Sequence, residues 1–182
     1  LNFSLYDNTW YTSTCTILGA YGKNEKSAEY CIADFPKTEN GTVYYTFALT
    51  EEQRAKSVAY IGVSSSVATT CVFQGVLFEM EDGTVAGANE TPAGDGKDDE
   101  RITLSADKVK NSYNNDGVTA TAKENDMYEL SLNGNGNSAL FKLSGEIDLK
   151  NCTRVTFAVS GQTESLNFSL YDNTWYTSTC TI

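Results

Sequence analysis

The chain has 182 residues, a net charge of −11, 40% hydrophobic and 12% aromatic content, five cysteines and no histidine. Its apolar content suffices for one sizeable domain, and no apolar run approaches the ~20 residues of a membrane helix. The acidic balance argues against nucleic acid and anionic membranes as partners, while the missing His removes the commonest general base and metal ligand.

Residues 1–17 read LNFSLYDNTWYTSTCTI, and the same letters return at 166–182. Every position matches, Trp10 with Trp175 and Cys15 with Cys180 included. The offset, residue 1 to residue 166, is the length of a domain and too long for a solenoid repeat. In each copy apolar Leu1, Phe3 and Leu5 alternate with Asn2, Ser4 and Tyr6, the pattern of a half-buried strand. A three-residue turn over Asp7, Asn8 and Thr9 sets Tyr6 opposite Trp10 and Ser4 opposite Thr12. The outer face of this hairpin then carries Tyr6, Trp10 and Thr12, and in the second copy Tyr171, Trp175 and Thr177.

Residues 18–26 read as a loop and 27–35 as a strand closed by Pro36. Asn40-Gly41 signals a turn before a strand over 42–49, with Val43, Tyr45, Phe47 and Leu49 on one face. Thr50 and Gln53 form a capping box that predicts one or two helical turns through Ser57. Strands follow at 58–64 and 69–80, the second with Gly75 marking a bulge or kink. The stretch 81–100 reads as a linker, and its acids outweigh Lys97 to give more than half of the chain's net charge. Further strands are expected at 101–105, 118–122, 127–132, 138–143 and 154–159, with turns at Asp116-Gly117 and at 133–137, NGNGN.

Short strands at this spacing with polar turns predict an all-β fold, a jelly-roll-like β-sandwich with one short helix. The linker falls in mid-chain and the chain ends fall inside hairpins. The unit therefore reads in permuted order, 101–182 as its first half and 18–80 as its second, joined through 81–100, with the hairpin 1–17 duplicated at 166–182. No signal-peptide pattern is present, which reads as a mature chain or a fragment.

Three segments, Gly145 to Asp172, Tyr44 to Ser66 and Cys71 to Met80, carry apolar patterns that resemble the jelly-roll carbohydrate-binding modules of secreted plant-cell-wall hydrolases. The resemblance implies a non-catalytic module that holds an enzyme on insoluble polysaccharide such as xylan, outside the cell or at its surface. The sequence itself shows no nucleophile motif.

Sugar rings present flat C–H faces that stack on aromatic rings, and neighbouring hydroxyls and amides bind their OH groups. Tyr6, Trp10 and Thr12, with copies Tyr171, Trp175 and Thr177, are therefore the carbohydrate-binding candidates. The plainer alternative packs the Trp under a loop. Tyr21, Tyr30 and Tyr44 could extend the platform. Glu79, Glu81, Asp82, Asp98, Asp99 and Glu100 flank the start and end of the unit, where a structural Ca²⁺ could be held; a solvated acidic run is the plainer alternative. The unique cysteines, Cys15 (repeated as Cys180), Cys31, Cys71 and Cys152, allow three disulfide pairings, with buried thiols as the alternative. Asn2, Asn40, Asn89, Asn151 and Asn167 lie in N-x-S/T sequons. Beside the binding module stands a second expectation. A structural unit of an extracellular filament or surface array would have neighbouring copies as partners and assemble by hairpin exchange.

Overall fold

Alternation of apolar and polar residues builds most of this molecule, which a computed structural model describes over residues 32–33, 37–88, 99–108, 117–164, 166–174 and 177–181. The first copy of the repeat, with Tyr6, Trp10 and Thr12, lies outside the described residues, as do Tyr21, Tyr30, Cys15, Cys31, Asp98 and Trp175. So do the side chains of Asp99, Glu100, Thr177 and Cys180.

The strands are β1 (Ile32–Ala33), β2 (Lys37–Glu39), β3 (Thr42–Ala48), β4 (Ser57–Ser64), β5 (Ala68–Met80), β6 (Val85–Ala88) and β7 (Asp99–Arg101). They continue with β8 (Leu104–Lys108), β9 (Thr119–Ala122), β10 (Tyr128–Asn133), β11 (Ala139–Asp148), β12 (Cys152–Ser160), β13 (Asn167–Tyr171) and β14 (Thr177–Thr181). One sheet runs β1-β3-β12-β5-β10-β9, with β2 on β3 and with β6 and β7 beside the far half of β5; the other runs β14-β13-β4-β11-β8. All these pairings are antiparallel except β6 with β7.

The two sheets close on each other through aromatic rings. Phe168 on β13 stacks on Phe157 of β12 at 4.4 Å, and Phe141 on β11 meets Phe73 of β5 at 4.7 Å. Phe47, Phe73, Phe78, Phe141, Phe157 and Phe168 are all fully buried. Each comes from the inward face of a strand, which is the alternation the sequence carries. The molecule is an all-β sandwich. Strand pairs nest as β10 with β5, β11 with β4, β12 with β3, and β13 with β14. Followed from β10 to β14 and then from β3 to β5, these nested pairs are the wrap of a jelly roll. As the chain runs, that wrap is entered at β3.

Local chemistry sets the connections. Asn40 (φ 50) and Gly41 (φ 81) both take the left-handed conformation of a two-residue hairpin turn between β2 and β3. Thr50 Oγ1 accepts from Gln53 N at 3.3 Å while Thr50 N donates to Gln53 Oε1 at 2.9 Å, completing the capping box of α1 (Glu51–Arg54). The helix is a single turn and stops short of Ser57, where β4 begins. Gly75 (φ 150) sits at a register shift between β5 and β12, the bulge the sequence marks.

Three expectations need correction. The segment 81–100 is not wholly a linker: Val85–Ala88 and Asp99–Arg101 form β6 and β7, which extend the nine-stranded sheet. The expected strand over 101–105 is broken at residues 102–103, because β7 and β8 belong to different sheets. The register of the repeat hairpin differs from a three-residue turn: Tyr171 faces Thr177 and Ser169 faces Thr179. Asp172 Oδ1 accepts from Thr174 N at 2.7 Å and from Thr174 Oγ1 at 2.8 Å, which stabilises the wider loop. The shift is by an even number of residues, so the inward and outward faces stay as the sequence assigns them.

For the cysteines the buried-thiol alternative holds at two positions. Cys71 and Cys152 are free, buried thiols on different strands, so no framework of two disulfides over the four unique cysteines exists. Burial pushes each thiol from its usual 9.0 up to about 11. The folded chain thus holds these protons more tightly than the unfolded chain. Stability should be level below about pH 9, fall between about pH 9 and 11, and level off above, by roughly 3 kcal/mol per thiol. Urea unfolding across that range, with Cys71→Ala/Cys152→Ala as reference, checks this. A parent curve no steeper than the variant's would show that the thiols ionise freely in the fold.

Candidate functional site

The outer face of the five-stranded sheet gathers residues from five separate stretches of sequence. Cross-strand register lines up Ser105 on β8, Lys142 on β11, Tyr60 on β4, Tyr171 on β13 and Thr177 on β14 in one row. The next row holds Asp107, Leu140, Gly62, Ser169 and Thr179. Tyr171 is outward because Phe168 and Leu170 are inward, 0% and 3% exposed.

Gly62 shapes this surface. A Cβ there would lie 2.8 Å from Tyr171 Cε2 and 3.3 Å from Ser138 Oγ, so the bare Cα lets the tyrosine ring lie down across β4. Leu140 and Ser169, beside Gly62, are 2% and 4% exposed, whereas Tyr60 and Tyr171 are half-buried and Lys142 and Ser105 are exposed. The middle of the second row is thus closed to solvent, while Asp107 at its β8 end is exposed; the first row is the more accessible one. At one end of the face Glu146 accepts a hydrogen bond from Ser57 Oγ and another from Asn173 Nδ2, the latter at 2.8 Å. Asn173 belongs to the hairpin loop, so Glu146 ties that loop to β11. The three residues between Leu143 and Ile147 that make this reach possible form the register shift between β11 and β4.

Of the sequence candidates, the structure brings Tyr171 and the backbone of Thr177 together on this face. Trp175 lies outside the described residues, and the cross-strand partner of Tyr171 is Thr177. Tyr60, Lys142, Ser105 and Glu146 are the neighbours that the sequence reading missed. The sequence reading placed Tyr60 in the strand 58–64 without assigning its face, and no local signal joins it to Tyr171. Tyr44 lies on β3 in the other sheet, beside Ala158 of β12, and cannot join this row. That other outer face carries its own polar ladder, Thr42 Oγ1 donating to Gln74 Oε1 at 2.9 Å and Gln74 Nε2 donating to Ser160 Oγ at 2.7 Å.

The acidic candidates are distributed as follows. Glu79 on β5 pairs in register with Val85 of β6, and Val85 with Asp99 of β7, so an apolar residue stands between the two acidic positions. Glu100 is one position further along β7. Glu81 is ion-paired with Arg54, and Asp82 Oδ1 accepts from Thr84 N at 2.9 Å and Thr84 Oγ1 at 2.6 Å in the β5–β6 turn. Among the described residues no group of three His, Cys, Asp or Glu is placed to hold a metal ion. No helix among the described residues is long and apolar enough to cross a membrane.

No protein-family model, curated protein or solved structure matches this chain.

Proposed function

We propose that this protein is a non-catalytic, extracellular module that holds a polysaccharide such as xylan on the outer face of its five-stranded sheet. The observation that carries the reading is the row Ser105–Lys142–Tyr60–Tyr171, two adjacent half-buried tyrosines with a hydroxyl and an amine on the neighbouring strands, in register with the backbone of Thr177. Such a row offers aromatic faces to successive sugar rings and polar groups to their hydroxyls. Ser57, Glu146 and Asn173 add carboxylate and amide groups at its end.

Tyr60 gives the cleanest test, since it lies outside the repeat and has no second copy. Tyr60→Ala should weaken retention on insoluble xylan or another β-glycan about 3- to 10-fold, the worth of one aromatic contact at ~0.5–1.5 kcal/mol. Far-ultraviolet circular dichroism should be unchanged, because the side chain faces outward. Unchanged retention with a native spectrum removes this face from consideration. Trp10→Ala/Trp175→Ala tests the tryptophan of the repeat in the same assay.

A second reading is supported by the exact repeat: a unit of an extracellular filament or array, whose neighbours exchange hairpins. Fibres of pure protein under negative-stain microscopy, without retention on any glycan, would favour it over the first.

A further inference from the structure

Among the described residues, the slot filled by β13 and β14 is built from residues outside the repeat. Residues 60–64 of β4 pair along β13. Phe157 stacks on Phe168, and the rings of Tyr45 and Phe47 stand 5.7 Å and 6.3 Å from it. Leu166, Phe168 and Leu170 bury themselves there to 2%, 0% and 3% exposure. Every seated side chain belongs to the second copy. Residues 1–17 carry the same side chains in the same order, so seated in this slot they would make the same contacts.

Chain connection allows that from the opposite end. The slot is entered at present from β12 through residues 161–166. Among the described strands β14 is the last of its sheet, and β1 and β3 lie at the matching edge of the other, as the Tyr45 and Phe47 contacts to Phe168 require. Packed sheets stand ~10 Å apart. Residues 18–31 can span up to ~45 Å when extended, ample to run from the far end of the slot to β1. Both routes follow the direction of the jelly-roll wrap.

We propose that residues 1–17 and 166–182 of one chain compete for this single slot, so that the molecule exchanges between two frames, each with one copy seated and the other displaced. The seated contacts are equal, so only the two links set the balance between frames. The competitor is the chain's own first copy rather than a neighbour's, because a short tether holds it at millimolar effective concentration. The outward row survives the exchange, with Tyr6 taking the position of Tyr171.

The test is a set of three variants in urea unfolding. Phe168→Ala alone should leave the unfolding midpoint close to the parent's, because the intact first copy takes the slot. Phe3→Ala alone should do the same. Phe3→Ala/Phe168→Ala should lower the folding equilibrium constant on the order of a hundredfold or more, the usual loss for a buried Phe. The Phe168→Ala change also labels the copies by mass. Peptides from residues 1–17 should become protected from amide exchange in that variant while those from 166–182 lose protection. Light scattering should find a monomer at all concentrations. Phe168→Ala as damaged as the double variant, residues 1–17 unprotected in it, or rescue only through dimers would each overturn the proposal.

Discussion

Phe157→Ala is expected to cost about 3–5 kcal/mol of stability. Phe157 is 1% exposed and touches rings on both sheets, stacked on Phe168 at 4.4 Å and edge-on to Phe47 at 6.0 Å. Removing its ring leaves a cavity at the join of the sandwich, lined by aromatics that cannot collapse into it without moving a strand. Phe157 also lies in β12, outside the repeat, so no second copy can replace it. This sets it apart from Phe168, whose loss the first copy can offset. At a slope of ~2 kcal/mol per molar urea the midpoint should drop by about 2 M. A shift below a few tenths molar would mean that these rings do not form the central packing.

Gly134→Ala should be nearly as damaging, for a backbone reason. Gly134 has φ +79, and a Cβ there would fall 2.6 Å from Ala68 N and 2.9 Å from Val67 C. Those are main-chain atoms at the start of β5 and cannot swing aside. Left-handed strain and a forced backbone shift together should cost about 3 kcal/mol. Gly136 supplies the control in the same loop. Its φ is +72 but nothing lies within 4 Å of its Cβ position, so Gly136→Ala should cost only ~1 kcal/mol. Equal losses in thermal or urea unfolding for the two variants would show that Gly134 is not packed against β5.

The strands that the sequence announced are those whose two faces differ in polarity. β3, β5, β10 and β12 each put a run of alternate apolar residues into one core, and their positions follow from that period alone. The capping box at Thr50 and the turn at Asn40-Gly41 are equally local, and both formed where the residues called for them. β6, with only Val85, Ala86, Gly87 and Ala88, has no alternation to read; it exists because the long β5 leaves an edge beside residues 76–79. The hairpin register turned on Asp172, whose carboxylate binds Thr174 and opens the turn, a competition between side chain and ladder that spacing does not reveal.

Less of the candidate site was legible. Alternation showed that Tyr171 points outward, and it does. Its neighbours Tyr60, Lys142 and Ser105 come from strands that sit together only through the jelly-roll wrap, at sequence distances no local pattern spans. The same wrap puts Tyr44 on the opposite surface of the sandwich. Which tyrosines form a platform is a property of topology, and the residues alone give only which face each one takes.

The most direct measurement is an amide nuclear magnetic resonance titration of the whole chain with soluble xylo- and cello-oligosaccharides. Binding on the outer face of the five-stranded sheet predicts shifts at Ser105, Lys142, Tyr60 and Gly62, together with the residue that fills the Tyr171 position. Amides of Tyr44, Gln74 and Ser160 on the other sheet should stay in place. No shift with any oligosaccharide at millimolar concentration, or shifts centred on Tyr44 and Gln74, would contradict the assignment of this face.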